Sequence, residues 1–156
     1  MKKKILTGLC LTLALLTLLS TAAFAAPSKI PENYNKGNSD SLLTVKKPAS
    51  LTATTSERTY TVTAAGKPGV DVTVYRKSKL DGQFYRVFQN GYFLNSTIGA
   101  SGVYVVSIEL IDGGNTMLLY AENENERQII RIDITRLSKS QLDRITNLSV
   151  GDLFAY

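Results

Sequence analysis

Asp112, Glu122, Glu124 and Glu126 are the side chains whose type and spacing come nearest to a reaction centre in this chain. Paired carboxylates can share the work of acid and base, or of acid and nucleophile, as in glycoside hydrolysis. Clustered carboxylate oxygens can also hold Ca²⁺. The spacing favours neither use. Asn123 and Asn125 interleave the glutamates in a stretch that reads as a solvated turn, without the Asp-x-Asp start and glycine bend of a calcium loop. Other chemistries fall to composition. There is no His, which excludes Ser-His-Asp and Cys-His catalysis, histidine bases and histidine metal sites. The single thiol, Cys10, lies in the N-terminal apolar run. No glycine loop opens a helix to cradle phosphates, and no spacing supports a Ser paired with Lys67 or Lys79. The residues predict a non-enzyme with no cofactor and no metal.

What remains is a cluster of aromatics. Between Asp81-Gly82 and Gly99, the residues Phe84, Tyr85, Phe88, Tyr92 and Phe93 flank Asn90-Gly91. Asn-Gly is a strong signal for a two-residue type I′ hairpin turn. That register sets Phe88 opposite Phe93 and Gln89 opposite Tyr92. Alternation then places Phe84, Phe88 and Phe93 on one face, with Tyr85 and Tyr92 on the other. Aromatic rings combine apolar area with a polar handle, so Tyr75, Tyr85 and Tyr92 are the candidate ligand-binding strip. In the competing reading, the phenylalanines seal one end of the core and the tyrosines merely edge it. The absence of Trp counts against a sugar platform.

The elements that would carry this strip are strands. Leu43 and Val45 share parity, and Leu51 and Ala53 continue them after Pro48. Tyr60 and Val62 alternate with Thr59, Thr61 and Thr63. Val70, Val72 and Val74 alternate with Asp71, Thr73 and Tyr75. Tyr104, Val106, Ile108 and Leu110 follow Gly102. Met117, Leu119 and Ala121 follow Asp112-Gly113-Gly114-Asn115, and Ile130, Ile132 and Ile134 close the set. Period-two alternation implies one buried and one wet face per strand, as in antiparallel sheets. A single layer cannot hide its apolar side, so a second sheet must cover it. About seven strands over residues 42–137 fit an all-β, two-sheet antiparallel sandwich of immunoglobulin size.

Two stretches carry a resemblance. Val62 to Val74, with Gly66-Lys67-Pro68-Gly69 between two strands, resembles the opening of bacterial Ig-like domains. Gly102-Val103-Tyr104, Ile108-Glu109-Leu110, Gly114-Asn115 and Tyr120-Ala121 resemble a later pair of consecutive strands in the same family. Ala64 and Ala65 stand where that family carries a glycine. The resemblance implies an Ig-like β-sandwich and is nearly silent on activity, because this fold hosts unrelated functions. Antibody-type domains are disfavoured by the absence of Trp and of a cysteine pair.

The ends of the chain read differently. Lys2, Lys3 and Lys4 precede an apolar run from Ile5 to Leu19, and Ala23-Phe24-Ala25 closes the segment before Ala26-Pro27. A basic start, a short apolar core and an A-x-A site read as a signal peptide over 1–25, cleaved between Ala25 and Ala26. Cleavage would remove Cys10 and the three lysines, leaving a thiol-free chain whose net charge falls from +5 to +2. No stable membrane span is expected afterwards, and so mild a charge leaves no nucleic-acid footprint. Residues 26–41, poor in apolar side chains, read as a flexible leader. Over 138–156, Leu142, Ile145 and Leu148 recur at helical spacing behind Ser138 or Ser140, predicting a short C-terminal helix or tail. The expectation is a secreted bacterial protein of the extracellular space or cell envelope. It would be a binding module working through protein contacts, its partner an extracellular protein or cell-wall component. A carbohydrate- or cell-wall-binding accessory is the alternative.

Overall fold

The computed structural model describes residues 26–151, and the side chains of 26–147 within them. The expected signal peptide, Ala25 of its cleavage site and the final residues 152–156 lie outside the described residues. The described chain is all-β apart from one helix. Its strands are β1 (Lys29–Ile30), β2 (Leu43–Lys47), β3 (Thr52–Thr55), β4 (Thr59–Gly66), β5 (Asp71–Lys77), β6 (Phe84–Arg86), β7 (Phe88–Gln89), β8 (Tyr92–Phe93), β9 (Asn95–Thr97), β10 (Val103–Glu109), β11 (Gly113–Glu122) and β12 (Arg127–Arg136). Helix α1 spans Lys139–Gly151.

A large sheet runs β1-β6-β5-β11-β12-β3, with β9 also paired to β5. A small sheet runs β10-β4-β2, and β7 and β8 form a separate hairpin. The alternating residues of the two sheets share one core. Val62, Tyr104 and Ile108 from the small sheet pack in one buried cluster with Val72, Val74, Met117, Leu119, Ile132 and Ile134 from the large one. Between Lys47 and Thr52 the chain changes sheets, so β2 and β3 are not one strand. β3 then pairs with β12 in parallel, which departs from the antiparallel expectation. At the β10–β11 turn, buried Asn115 accepts from Ile111 N–H and donates to the carbonyls of Ile111 and Gly113, while Gly113 takes φ 85°.

Residues 26–41, expected as a flexible leader, lie against the outer face of the large sheet. Ile30 pairs with Phe84 through β1 and β6. Lys36 O accepts from Ile129 N–H, and the backbone N–H groups of Asn38 and Ser39 both donate to Arg127 O. Under this strap Ile30, Tyr75, Phe84, Leu118, Tyr120 and Ile129 form a second buried cluster. The expectation of a wet outer face fails there, because the leader supplies both the apolar lid and the backbone partners. Gly37 admits no larger residue, since a Cβ would sit 2.0 Å from Arg127 O.

Helix α1 starts as the sequence suggests. Ser138 Oγ accepts from Gln141 N–H at 3.3 Å, and Gln141 Oε1 accepts from Ser138 N–H at 2.9 Å. That reciprocal pair is a capping box. Leu142 and Ile145 remain exposed on it. Among the described residues no helix is long and apolar enough to cross a membrane.

Candidate functional site: an aromatic hairpin beside an open sheet edge

The hairpin grows out of one edge of β5. β6 pairs with the far half of β5 and β9 with its near half. Val74, between the two halves, accepts from Val87 N–H and donates to Leu94 O, while Leu94 N–H donates to Val87 O. Val87 and Leu94 therefore stand at the base of the hairpin, with both side chains in the main core. Everything between them leaves the sheet. Asn90 and Gly91 take φ 54° and 88°, both positive as a type I′ turn requires. The register is the expected one, Phe88 opposite Phe93 and Gln89 opposite Tyr92.

The aromatics of this excursion do not seal the core, which Val87 and Leu94 already close. Phe88 is 63% exposed, Tyr92 58% and Phe93 42%. Phe88 and Phe93 meet edge to face, centroids 5.2 Å apart at 68°. The guanidinium of Arg86 lies 4.5 Å from the centre of the Phe93 ring. These contacts hold the rings in place without hiding them.

Gln89 joins the hairpin to the small sheet. Its Nε2 donates to Ser107 O at 3.3 Å, and its Oε1 accepts from Glu109 N–H at 2.9 Å, so the amide stands in for a neighbouring strand on β10. Beside it runs a cleft of about 320 Å³, bounded by Gln89, Tyr92, Asn95 and Ser96 on one side and residues 104–107 of β10 on the other. No charged residue lines it. Val103 and Val105, each 57% exposed, stand on the open face of β10.

The expected tyrosine strip does not assemble. Tyr75 is fully buried beneath the leader, where its hydroxyl donates to Pro27 O and its ring packs edge-on against Tyr120. Burial, reinforced by Tyr120, pushes its pKa well up. Tyr75 is thus a core residue, not a ligand-binding one. Alternation alone puts it on a wet face, because nothing in the strand pattern shows the strap that covers it. Tyr85 is exposed, on the opposite side of the sheet, since Tyr75 pairs with Arg86 and Arg76 with Tyr85. Its hydroxyl donates to Asp81 at 2.6 Å, and that bond raises the Tyr85 pKa and lowers that of Asp81. Tyr92 alone of the three borders the cleft. Ala26, on the mature side of the expected cleavage site, packs against the outer cluster.

Asp112 stands apart from the glutamates, whereas Glu122, Glu124 and Glu126 border one open cleft. Asp112 and Glu122 flank opposite ends of β11, with Asp112 paired to Arg136 at 3.2 Å. Glu122 accepts from the Tyr120 hydroxyl at 2.9 Å, and burial raises its pKa. Glu126 pairs with Lys67 at 3.2 Å. Among the described residues no group of three or more His, Cys, Asp or Glu could hold a metal ion. Sequence reasoning missed Gln89, Val103 and Val105. The two valines were visible as exposed-parity residues on a strand, but nothing in the sequence marks that strand as an edge.

No known protein family matches the chain, and neither does any curated protein. Among solved structures it is similar to the endo-beta-1,4-mannanase from Thermotoga petrophila, at 15% identity and a TM-score of 0.39. That match covers 65% of this chain and 20% of the other.

Proposed function

We propose that this chain is a secreted, non-enzymatic Ig-like β-sandwich that binds an extracellular or cell-envelope protein through its aromatic hairpin. The Ig-like reading draws support from two sheets enclosing one core. The observation that carries the binding reading is the hairpin itself. Phe88, Tyr92 and Phe93 are exposed on an excursion whose base is closed by Val87 and Leu94, so the rings are not needed to complete the core. Contiguous exposed apolar side chains rimmed by polar ones are characteristic of interaction sites. Aromatic residues also dominate binding energy at protein interfaces. The edge-on Phe pair, with Arg86 over one ring, offers no flat platform, which favours a protein partner over the carbohydrate alternative.

The test is capture of partners from culture supernatant and envelope fractions with the native chain as bait. Replacing Phe88 and Tyr92 together by Ala should weaken capture by about tenfold or more. Tyr85→Phe, which loses only the bond to Asp81, should leave capture intact. Equal capture by the double variant removes the hairpin from the reading. Retardation on polysaccharide gels that the double variant abolishes would transfer the site to the carbohydrate alternative.

A further inference from the structure

One end of the large sheet holds a half-buried cation without a counter-ion. Arg76, near the end of β5, donates through its guanidinium to Glu109 O, while its Nε is buried and has no hydrogen-bond partner. None of the ion pairs among the described residues includes Arg76 or Lys79. Burial lowers the Arg76 pKa, and the Glu109 charge, which forms no ion pair with it, only partly opposes that. A charge taken out of water is ordinarily paired. Beside Arg76 lies a cleft of about 360 Å³, with Lys77, Ser78 and Lys79 along one wall and residues 114–116 along another. No carboxylate lines it. The acids nearby are engaged elsewhere: Glu32 pairs with Lys77, Asp81 accepts from Tyr85, and Asp133 accepts from Thr116 and Arg131. We propose that this cleft binds a phosphate-type oxyanion, either free or as a phosphate monoester, on Arg76 and Lys79.

Charge selects this ligand class. Two cations without counter-charges are matched by a dianion. A phosphate monoester carries about −1.5 to −2 at neutral pH, and a carboxylate only one charge. The two side chains also divide the recognition, since a guanidinium presents a planar fork to oxygen pairs and an ammonium acts as a point charge. The walls of the cleft are set in advance. Ser78 N–H donates to Gln83 O and Gly82 N–H to Ser78 O, while Ser78 Oγ accepts from Leu80 N–H at 3.2 Å, which fixes the turn that carries Lys79. On the facing wall, the Asn115 amide is tied to the backbone of Ile111, Gly113 and Ile134. A site whose walls are already ordered loses less entropy when its ligand arrives.

Calorimetric titration of the native chain with inorganic phosphate, glycerol phosphate and acetate, at fixed ionic strength, tests the inference independently of partner capture by the hairpin. Saturable binding of phosphate or its ester is expected, with acetate weaker by about tenfold or more. Tighter binding of the ester assigns the site to a phosphate carried on a larger molecule, and equal binding assigns it to the free ion. Lys79→Ala should weaken phosphate binding by about tenfold. Arg76→Lys, which keeps the charge and loses the fork, should weaken it by a similar factor. Lys46→Ala removes the same charge from an exposed position on β2 and should leave the titration unchanged. Lys79 is exposed, so its variant reports on the site even where the Arg76 variant loses its fold. Absence of saturable phosphate binding overturns the inference. So does acetate binding as tightly as phosphate, or a loss in Lys46→Ala equal to that in Lys79→Ala.

Discussion

Gln128 and Gln89 perform the same task at the two edges of the small sheet. Buried Gln128, on β12 of the large sheet, accepts from Leu43 N–H at 2.8 Å and donates to Leu43 O at 3.1 Å. One amide thus closes the backbone of β2 where no further strand lies and ties the two sheets together. Leaving a buried donor and acceptor without partners costs about 1–3 kcal/mol for each group. Gln128→Met keeps the volume and removes both bonds, so urea unfolding should show a loss of about 2–4 kcal/mol. Gln128→Glu would not rescue it, because a carboxylate cannot donate to Leu43 O. A change below about 0.5 kcal/mol would mean that water replaces the amide. This residue was half legible. Its parity with Ile130, Ile132 and Ile134 puts a polar side chain on the core face, which signals a buried hydrogen bond. The partner lies 85 positions away, and no local pattern identifies it.

Among the elements, those whose geometry is local were the most legible. The hairpin register follows from Asn90-Gly91 alone, because a two-residue turn fixes which residues face each other. The inward residues of β4, β5, β10, β11 and β12 follow from alternation. The leader was missed because composition measures only what a segment can bury by itself. Ile30 and Tyr34 are few, but they land on apolar surface that the sheet already presents, Tyr34 packing edge-on to Phe84 at 5.7 Å. The backbone bonds at Lys36, Asn38 and Ser39 then fix the strap at its other end. A leader of this kind is part of the fold, and Ile30→Ala should lower stability by about 2–4 kcal/mol in denaturant unfolding. Native-state proteolysis should also cut the variant within 26–41 sooner than the parent. An unaltered midpoint and cleavage pattern would return the leader to the flexible role the composition suggests.

For the molecule as a whole, the same composition that excludes histidine chemistry also shapes the response to pH. With no His, no imidazole titrates between the carboxylates and the tyrosines. On the acid side the contributions oppose one another. Burial raises the Glu122 pKa, so its contribution favours the folded state at low pH and fades as pH rises. The burial of Asp133 is outweighed by hydrogen bonds from Arg131 and Thr116, which hold its carboxyl low, so its contribution is lost as pH falls. On the alkaline side the signs agree. Burial raises Tyr75, Tyr104 and Tyr120 above the ordinary phenol value. Each is stabilising in full below about pH 10, where the unfolded phenol is still protonated, and loses that contribution as pH climbs toward the folded value. Stability should therefore be level across neutral pH and fall above about pH 10, by about 1.4 kcal/mol per pH unit for each tyrosine that stays protonated only when folded. Tyr104→Phe separates this from general alkaline damage. Burial is the whole cause of the Tyr104 shift, so the variant should keep the neutral plateau and lose one proton's worth of slope above pH 10. Urea midpoints measured from neutral pH to about pH 11 would show it, and parallel alkaline limbs for parent and variant would overturn it.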